Sequence, residues 1–118
     1  IALDGRGRSD IVRVQQGESC CSNEFAMALG TKLGMLHAPA IGSFTDTANY
    51  TGLISECTNV SIGYYNEHTA EESLDIAYLE GLIDRLCTVS LNKLPTVRKV
   101  VTGAKMLKIK SKLREIKQ

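Results

Sequence analysis

Cys57-Thr58-Asn59-Val60-Ser61-Ile62 is the stretch that decides the fold class. Polar and apolar residues alternate through it as they do in a β-strand. Gly63-Tyr64-Tyr65-Asn66-Glu67 then leads the chain away from the strand's end. The next segment has a different period. From Ala70 to Val89, the residues Leu74, Ile76, Ala77, Leu79, Leu82, Ile83 and Leu86 mark one apolar stripe, while Glu71, Glu72, Asp75, Glu80 and Asp84 face water. That spacing predicts a long amphipathic helix.

Upstream, the same two periods recur. Ile1-Ala2-Leu3-Asp4 and Asp10 to Val14 read as short strands joined by the turn Gly5-Arg6-Gly7-Arg8, so a hairpin is expected. Glu24 to Leu33 carries Phe25, Met27, Ala28, Leu29 and Leu33 at helical spacing, with Ser22 or Asn23 as the cap and Gly34 as the stop. Met35 to Ser43, with Pro39 and Gly42, has no period and is expected to be a loop. About four strands and three or four helices make an α/β fold: a partial three-layer sandwich in which helices flank a mixed β-sheet.

With 118 residues, 43% of them hydrophobic and 23% charged, the chain has the composition of one globular domain. Cys20, Cys21, Cys57 and Cys87 contain no CxxC pair and are expected to be reduced thiols. A structural zinc site made from them and His37 lacks the usual ligand spacings. Neither a basic leader nor a long apolar run is present, which argues against a membrane span and for a cytoplasmic location. Ile1 in place of methionine points to processing or truncation upstream.

Charge is divided unevenly. Residues 93–118 hold nine of the fourteen Lys and Arg residues and one acid, Glu115, so this tail carries plus eight and residues 1–92 carry minus seven. The chain therefore divides into a body, 1–92, and a basic tail, 93–118. From residue 95 onward, Val97, Val100, Val101, Ala104, Leu107, Ile109, Leu113 and Ile116 alternate with the basic residues as in an amphipathic helix interrupted at Gly103. Such a tail can lie on an acidic face of its own protein, follow phosphates or contact an anionic membrane. The absence of aromatic residues removes base stacking and disfavours nucleic acid.

Three places have side chains suited to chemistry. Thr69 and Glu72 have the spacing of a capping box, which would hold His68 on a rigid corner where an oriented imidazole could bind a metal; a hydrogen-bonding surface histidine is the alternative. Asp4 is either a turn-forming aspartate before Gly5 or an acid at a strand end facing a cleft. In Ser43-Phe44-Thr45-Asp46-Thr47-Ala48-Asn49-Tyr50, Thr45 is placed to cap a short helix and Asp46 to complement its dipole.

Taken in order, Ala2-Leu3-Asp4-Gly5-Arg6-Gly7 with Asp10-Ile11-Val12, Cys20-Cys21-Ser22-Asn23-Glu24-Phe25-Ala26, Gly42-Ser43-Phe44-Thr45-Asp46-Thr47-Ala48, Glu56 to Tyr65 and His68-Thr69 resemble the C-terminal half of zinc-dependent aminopeptidase-like proteins, co-catalytic zinc exopeptidases of bacterial and phage type. The resemblance covers residues 1 to 87. It implies a mixed sheet flanked by helices and a site of two zinc ions bridged by an aspartate and a nucleophilic water. By resemblance, Asp4 and His68 are metal ligands, one for each ion, and Phe44, Asp46, Tyr64 and Tyr65 lie around the substrate pocket.

The family's remaining histidine, bridging aspartate, general-base glutamate and neighbouring glutamate ligand precede the position of Asp4, and no residues here supply them. The expectation is thus a metallohydrolase segment that needs a matching N-terminal half to cleave peptide N-termini, and that holds zinc weakly and is inactive alone. The other reading is a non-catalytic interaction module that works through its basic tail. A homo-oligomer is compatible with either.

Overall fold

A computed structural model of the chain describes residues 1–35, 39–42, 45–100 and 111–116. The decisive stretch forms β5 (Asn59–Tyr65), with β1 (Ala2–Arg6) parallel on one side and β2 (Ile11–Gln15) antiparallel on the other. β2 also pairs antiparallel with β3 (Glu18–Ser19) and parallel with β4 (Pro39–Gly42). β6 (Ser73–Leu74) joins the end of β5 antiparallel. The sheet is mixed and helices flank it, as the sequence leads one to expect.

The expected hairpin between the first two strands does not form, because β5 lies between them. The turn that follows β1 bonds to β5 instead: Gly7 N–H donates to Tyr64 O at 2.9 Å, and Gly63 N–H donates to Gly7 O at 2.7 Å. Gly5 permits this close approach. A Cβ there would stand 2.7 Å from Ser61 N and 2.8 Å from Val60 C, both backbone atoms that cannot yield. The actual hairpin is β2–β3, turned by Gln16 (φ 50°) and Gly17 (φ 76°), a left-handed pair that suits a two-residue loop.

α1 (Asn23–Lys32) begins where expected. Ser22 is its cap and accepts from Phe25 N–H at 3.1 Å. Gly34, at φ 68°, takes the left-handed position that ends the helix. The loop expected from Met35 to Ser43 contains β4, whose only partner among the described residues is β2 and whose first residue is Pro39, a position proline tolerates.

α2 (Ile76–Thr88) is shorter than the helix expected from Ala70. Asp75 caps it, accepting from Tyr78 N–H at 3.0 Å. Thr69 and Glu72 do not make a capping box; Thr69 Oγ1 donates to Asn66 O at 2.6 Å and accepts from Glu71 N–H at 3.3 Å, closing a side-chain turn ahead of β6.

One core joins both helices to the sheet. Phe25, Ala26, Leu29 and Leu33 of the α1 region and Leu82 of α2 meet Ile11 of β2 and Val60 and Ile62 of β5. Arg85 Nε links the helices by donating to Leu33 O at 2.8 Å. Of the expected apolar stripe on α2, only Leu82 is buried, with Leu79 and Leu86 partly buried; Leu74, Ile76 and Ile83 are exposed.

Beyond Asn92 the chain stays on the body for several residues. Leu94 is buried in the core, and Val97 and Arg98 bond to the body. The helix expected from residue 95 is not continuous: residues 94–100 are non-helical and 111–116 are helical and exposed.

Candidate functional site

β5 is buried from Asn59 through Gly63, polar residues included. Its polar side chains replace backbone partners at places where the neighbouring chain departs from regular pairing. The β1–β5 register runs Leu3↔Val60 and then Gly5↔Ser61, which leaves Asp4 as the extra residue of a bulge. Asp4 N–H donates to Asn59 Oδ1 at 3.0 Å, so the side chain completes the rung that the bulge removes. Ser61 Oγ accepts from Asp10 N–H at 3.0 Å and donates to Arg6 O at 2.7 Å. Bulges re-aim side chains and occur beside functional sites. Here the bulge leaves the Asp4 carboxylate exposed.

The carboxyl ends of parallel β1 and β5 reach the same edge of the sheet, the edge where open α/β sheets bind ligands. Beyond β5, Asn66 (φ 52°) and His68 (φ 65°) both adopt left-handed backbone. For residues other than glycine this conformation is uncommon and costs energy, and it concentrates at functional turns. His68 is exposed. An open cavity of about 430 Å³ lies at this edge, lined by Arg6, Asp10, Tyr64, Tyr65, Asn66 and Glu67. Tyr64 is half-buried and packs against the core, whereas Tyr65 is 36% exposed, so the two tyrosines serve different walls. Arg6 and Glu67 approach to 3.8 Å, a surface pair of small energetic consequence.

The expected site residues thus fall into two groups. Tyr64 and Tyr65 line the cavity; Asp4 and His68 do not, although each lies within two residues of one that does. Asp46 is exposed at the start of the 3₁₀ helix Asp46–Tyr50 and is not a lining residue. Phe44 and His37 lie outside the described residues. Among the described residues, no three His, Cys, Asp or Glu side chains converge as a metal-binding group.

Thr45 does not cap the 3₁₀ helix with its side chain. Its N–H and Oγ1 both donate to the buried Gln15 Oε1, at 3.0 and 2.7 Å, and the Gln15 amide donates to Thr47 Oγ1 at 3.2 Å. Next to this network lie the buried thiols. The Cys20 thiol is shifted down, first by its interaction with the adjacent Cys21 thiol and, against the opposing effect of burial, by the Gln15 amide, which donates to Cys20 Sγ at 3.4 Å. Cys21, whose thiol donates to Val12 O at 3.5 Å, is pushed up by the neighbouring Cys20 thiol and by burial. Cys57 is buried and Cys87 exposed, and all four cysteines are free.

Sequence reasoning passed over Asn59, Ser61, Gln15, Glu56 and Arg98. The first two carried a signal, since they are polar residues at alternate positions of a strand whose other face is aliphatic; the others act across 30 or more residues and leave no local mark. Comparison of the chain with protein-family models, curated proteins and solved structures finds no match.

Proposed function

We propose that this chain is the C-terminal portion of a zinc exopeptidase-like domain, a partial three-layer sandwich whose complete form hydrolyses amide bonds at peptide N-termini. The reading rests on the motif blocks from Ala2 to Thr69 in their order. The observation that best supports it is that Asp4, on a bulge of β1, and His68, on a left-handed turn after β5, belong to the two chain segments whose residues Arg6, Tyr64, Tyr65 and Glu67 line one cavity.

Two donors do not make a co-catalytic centre. A carboxylate and an imidazole are donor types such a centre uses, but the described residues show no group of three ligands, so no catalytic step is assigned to this chain. What it contributes is a carboxylate and an imidazole on fixed backbone, with Tyr64 and Tyr65 walling the adjacent space. Asp10 and Glu67 on the rim suit a peptide's ammonium group.

Zinc titration by calorimetry tests the proposal, with Asp4→Ala and His68→Ala run beside the unaltered chain and an aminoacyl amide present as substrate. Weak binding that either substitution abolishes is expected, without turnover. Identical isotherms for all three proteins, or turnover that persists in chelator, would sink it.

The second reading, an interaction module, is favoured by residues 111–116. They are helical and exposed, with Leu113 at 51% and Ile116 at 79% of full exposure beside Lys112 and Arg114. If it holds, removing residues 99–118 abolishes salt-sensitive binding to polyglutamate; unchanged binding removes its basis. The cut begins at Lys99 because Leu94 belongs to the core.

A further inference from the structure

The segment from Thr45 to Glu56 has almost no core of its own. Its 3₁₀ helix buries no residue, and Tyr50, Leu53 and Ile54 are 50%, 72% and 52% exposed. Hydrophobic burial therefore cannot be what fixes it. Polar contacts hold it at both ends. At its start, Thr45 is bound to Gln15 of β2. At its end, the chain that leaves the body closes over it.

Arg98 makes that closure. Its guanidinium donates to three carbonyls of one turn: Nη2 to Thr51 O at 2.8 Å, and Nη1 to Ser55 O at 2.9 Å and Ile54 O at 3.2 Å. The planar guanidinium holds its donors in a fixed, spread fork that suits such a fan. Glu56 ties the same place from the other direction. Its carboxylate accepts from Val97 N–H at 3.1 Å, from Ser22 N–H at 2.8 Å and from the Ser22 hydroxyl. Since Ser22 caps α1, the strap is fastened to the first turn of that helix, and Leu94 anchors it in the core four residues before Arg98.

Two thiols lie beneath this closure. Cys57 Sγ donates to Ile54 O at 3.4 Å, the same carbonyl that Arg98 takes, and Cys57 N–H donates to Cys20 O at 2.8 Å. Cys57 is 3% exposed and Cys20 is fully buried. Neither belongs to the central hydrophobic cluster, whereas the adjacent Cys21 does.

We propose that residues 95–98, anchored at Leu94, are a latch: Arg98 and Glu56 hold the Thr51–Glu56 turn shut over Cys57 and Cys20, and the latch opens as a local unit while the core, Leu94 included, stays folded. Arg98 is thereby a positioning residue for the segment that carries Asp46 and Tyr50. The rest of the basic tail, from Lys99 onward, continues from the latch, so a load on it acts first on this turn. The proposal is independent of the zinc reading, and its test needs neither metal nor turnover.

The full chain is labelled with N-ethylmaleimide under native conditions, and each cysteine's rate is followed by peptide mapping. Cys87 reports reagent activity and Cys21 reports opening of the core. Arg98→Ala should speed labelling of Cys57 about tenfold or more, with Cys20 following and Cys21 unchanged. Val97→Pro, which removes the N–H that donates to Glu56 and leaves Arg98 in place, should act in the same direction. An unchanged Cys57 rate in both variants overturns the latch. So does acceleration of Cys57 only in step with Cys21, since that pattern marks unfolding of the whole domain.

Discussion

β5 and α2 invert the usual rule of inside and outside. β5 buries Asn59 and Ser61, at 3% and 1% exposure, while α2 leaves Ile76 and Ile83 at 63% and 42%. The reason is that burial follows what the neighbouring element needs. β1 is bulged at Asp4 and the chain turns at Asp10, so donors there require acceptors, which the polar side chains of β5 provide. α2 meets the sheet along one narrow line through Leu82, and apolar residues off that line gain nothing from it. Periodicity reports which residues share a face; it does not report which face is covered.

The contrast can be broken by substitution, and the largest effect belongs to Leu82. It is fully buried and is the one α2 residue in that class, so Leu82→Ala should cost about 3 kcal/mol in urea unfolding. Asn59→Ala comes next. It leaves Asp4 N–H without its acceptor in a part-buried place, for a loss of about 1–2 kcal/mol. A cost near zero would mean that the bulge relaxes into regular pairing and that Asn59 does not shape it. Ile83→Ser should have the smallest effect, within about 0.5 kcal/mol, because the side chain is already exposed. Should Ile83→Ser instead match Leu82→Ala, the outer face of α2 is covered in solution and the contrast with β5 falls.

Local features of the fold were legible in the sequence, and pairings were not. α1 was readable together with its Ser22 cap because the capping bond itself, Phe25 N–H to Ser22 Oγ, spans only three residues. β1, β2 and β5 were recognisable as strands, but their order was not, since Leu3 meets Val60 across 57 positions and nothing near Leu3 announces it. Pro39–Gly42 has too few side chains to show a period, and it becomes a strand only because β2 offers an edge. At α2, Thr69 and Glu72 imitate a cap that Asp75 provides, and β6 occupies the turn that the imitation claimed.

The candidate site divides along the same line. Tyr64 and Tyr65 were put beside a pocket by the resemblance and not by the strand's period, and both line the cavity. The strained φ of His68 and the bulge at Asp4 are consequences of tertiary pairing and have no residue signature. Arg98 sits in a tail whose pattern suggests a basic amphipathic helix, yet its three carbonyl partners lie more than forty residues upstream.

The Asp4 bulge has one more effect, on what the protein avoids. Among the described residues β1 is the last strand on its side of the sheet, with Ala2 and Leu3 half-buried and no strand beyond them. A straight apolar border of that kind invites another molecule to add its own strand, and then a third, which is how fibrils begin. A kink bearing a negative charge spoils the template after two residues, and Arg6 adds a second exposed charge near its end. Asp4 therefore has work to do in keeping chains apart from one another, whether or not it ever meets a metal.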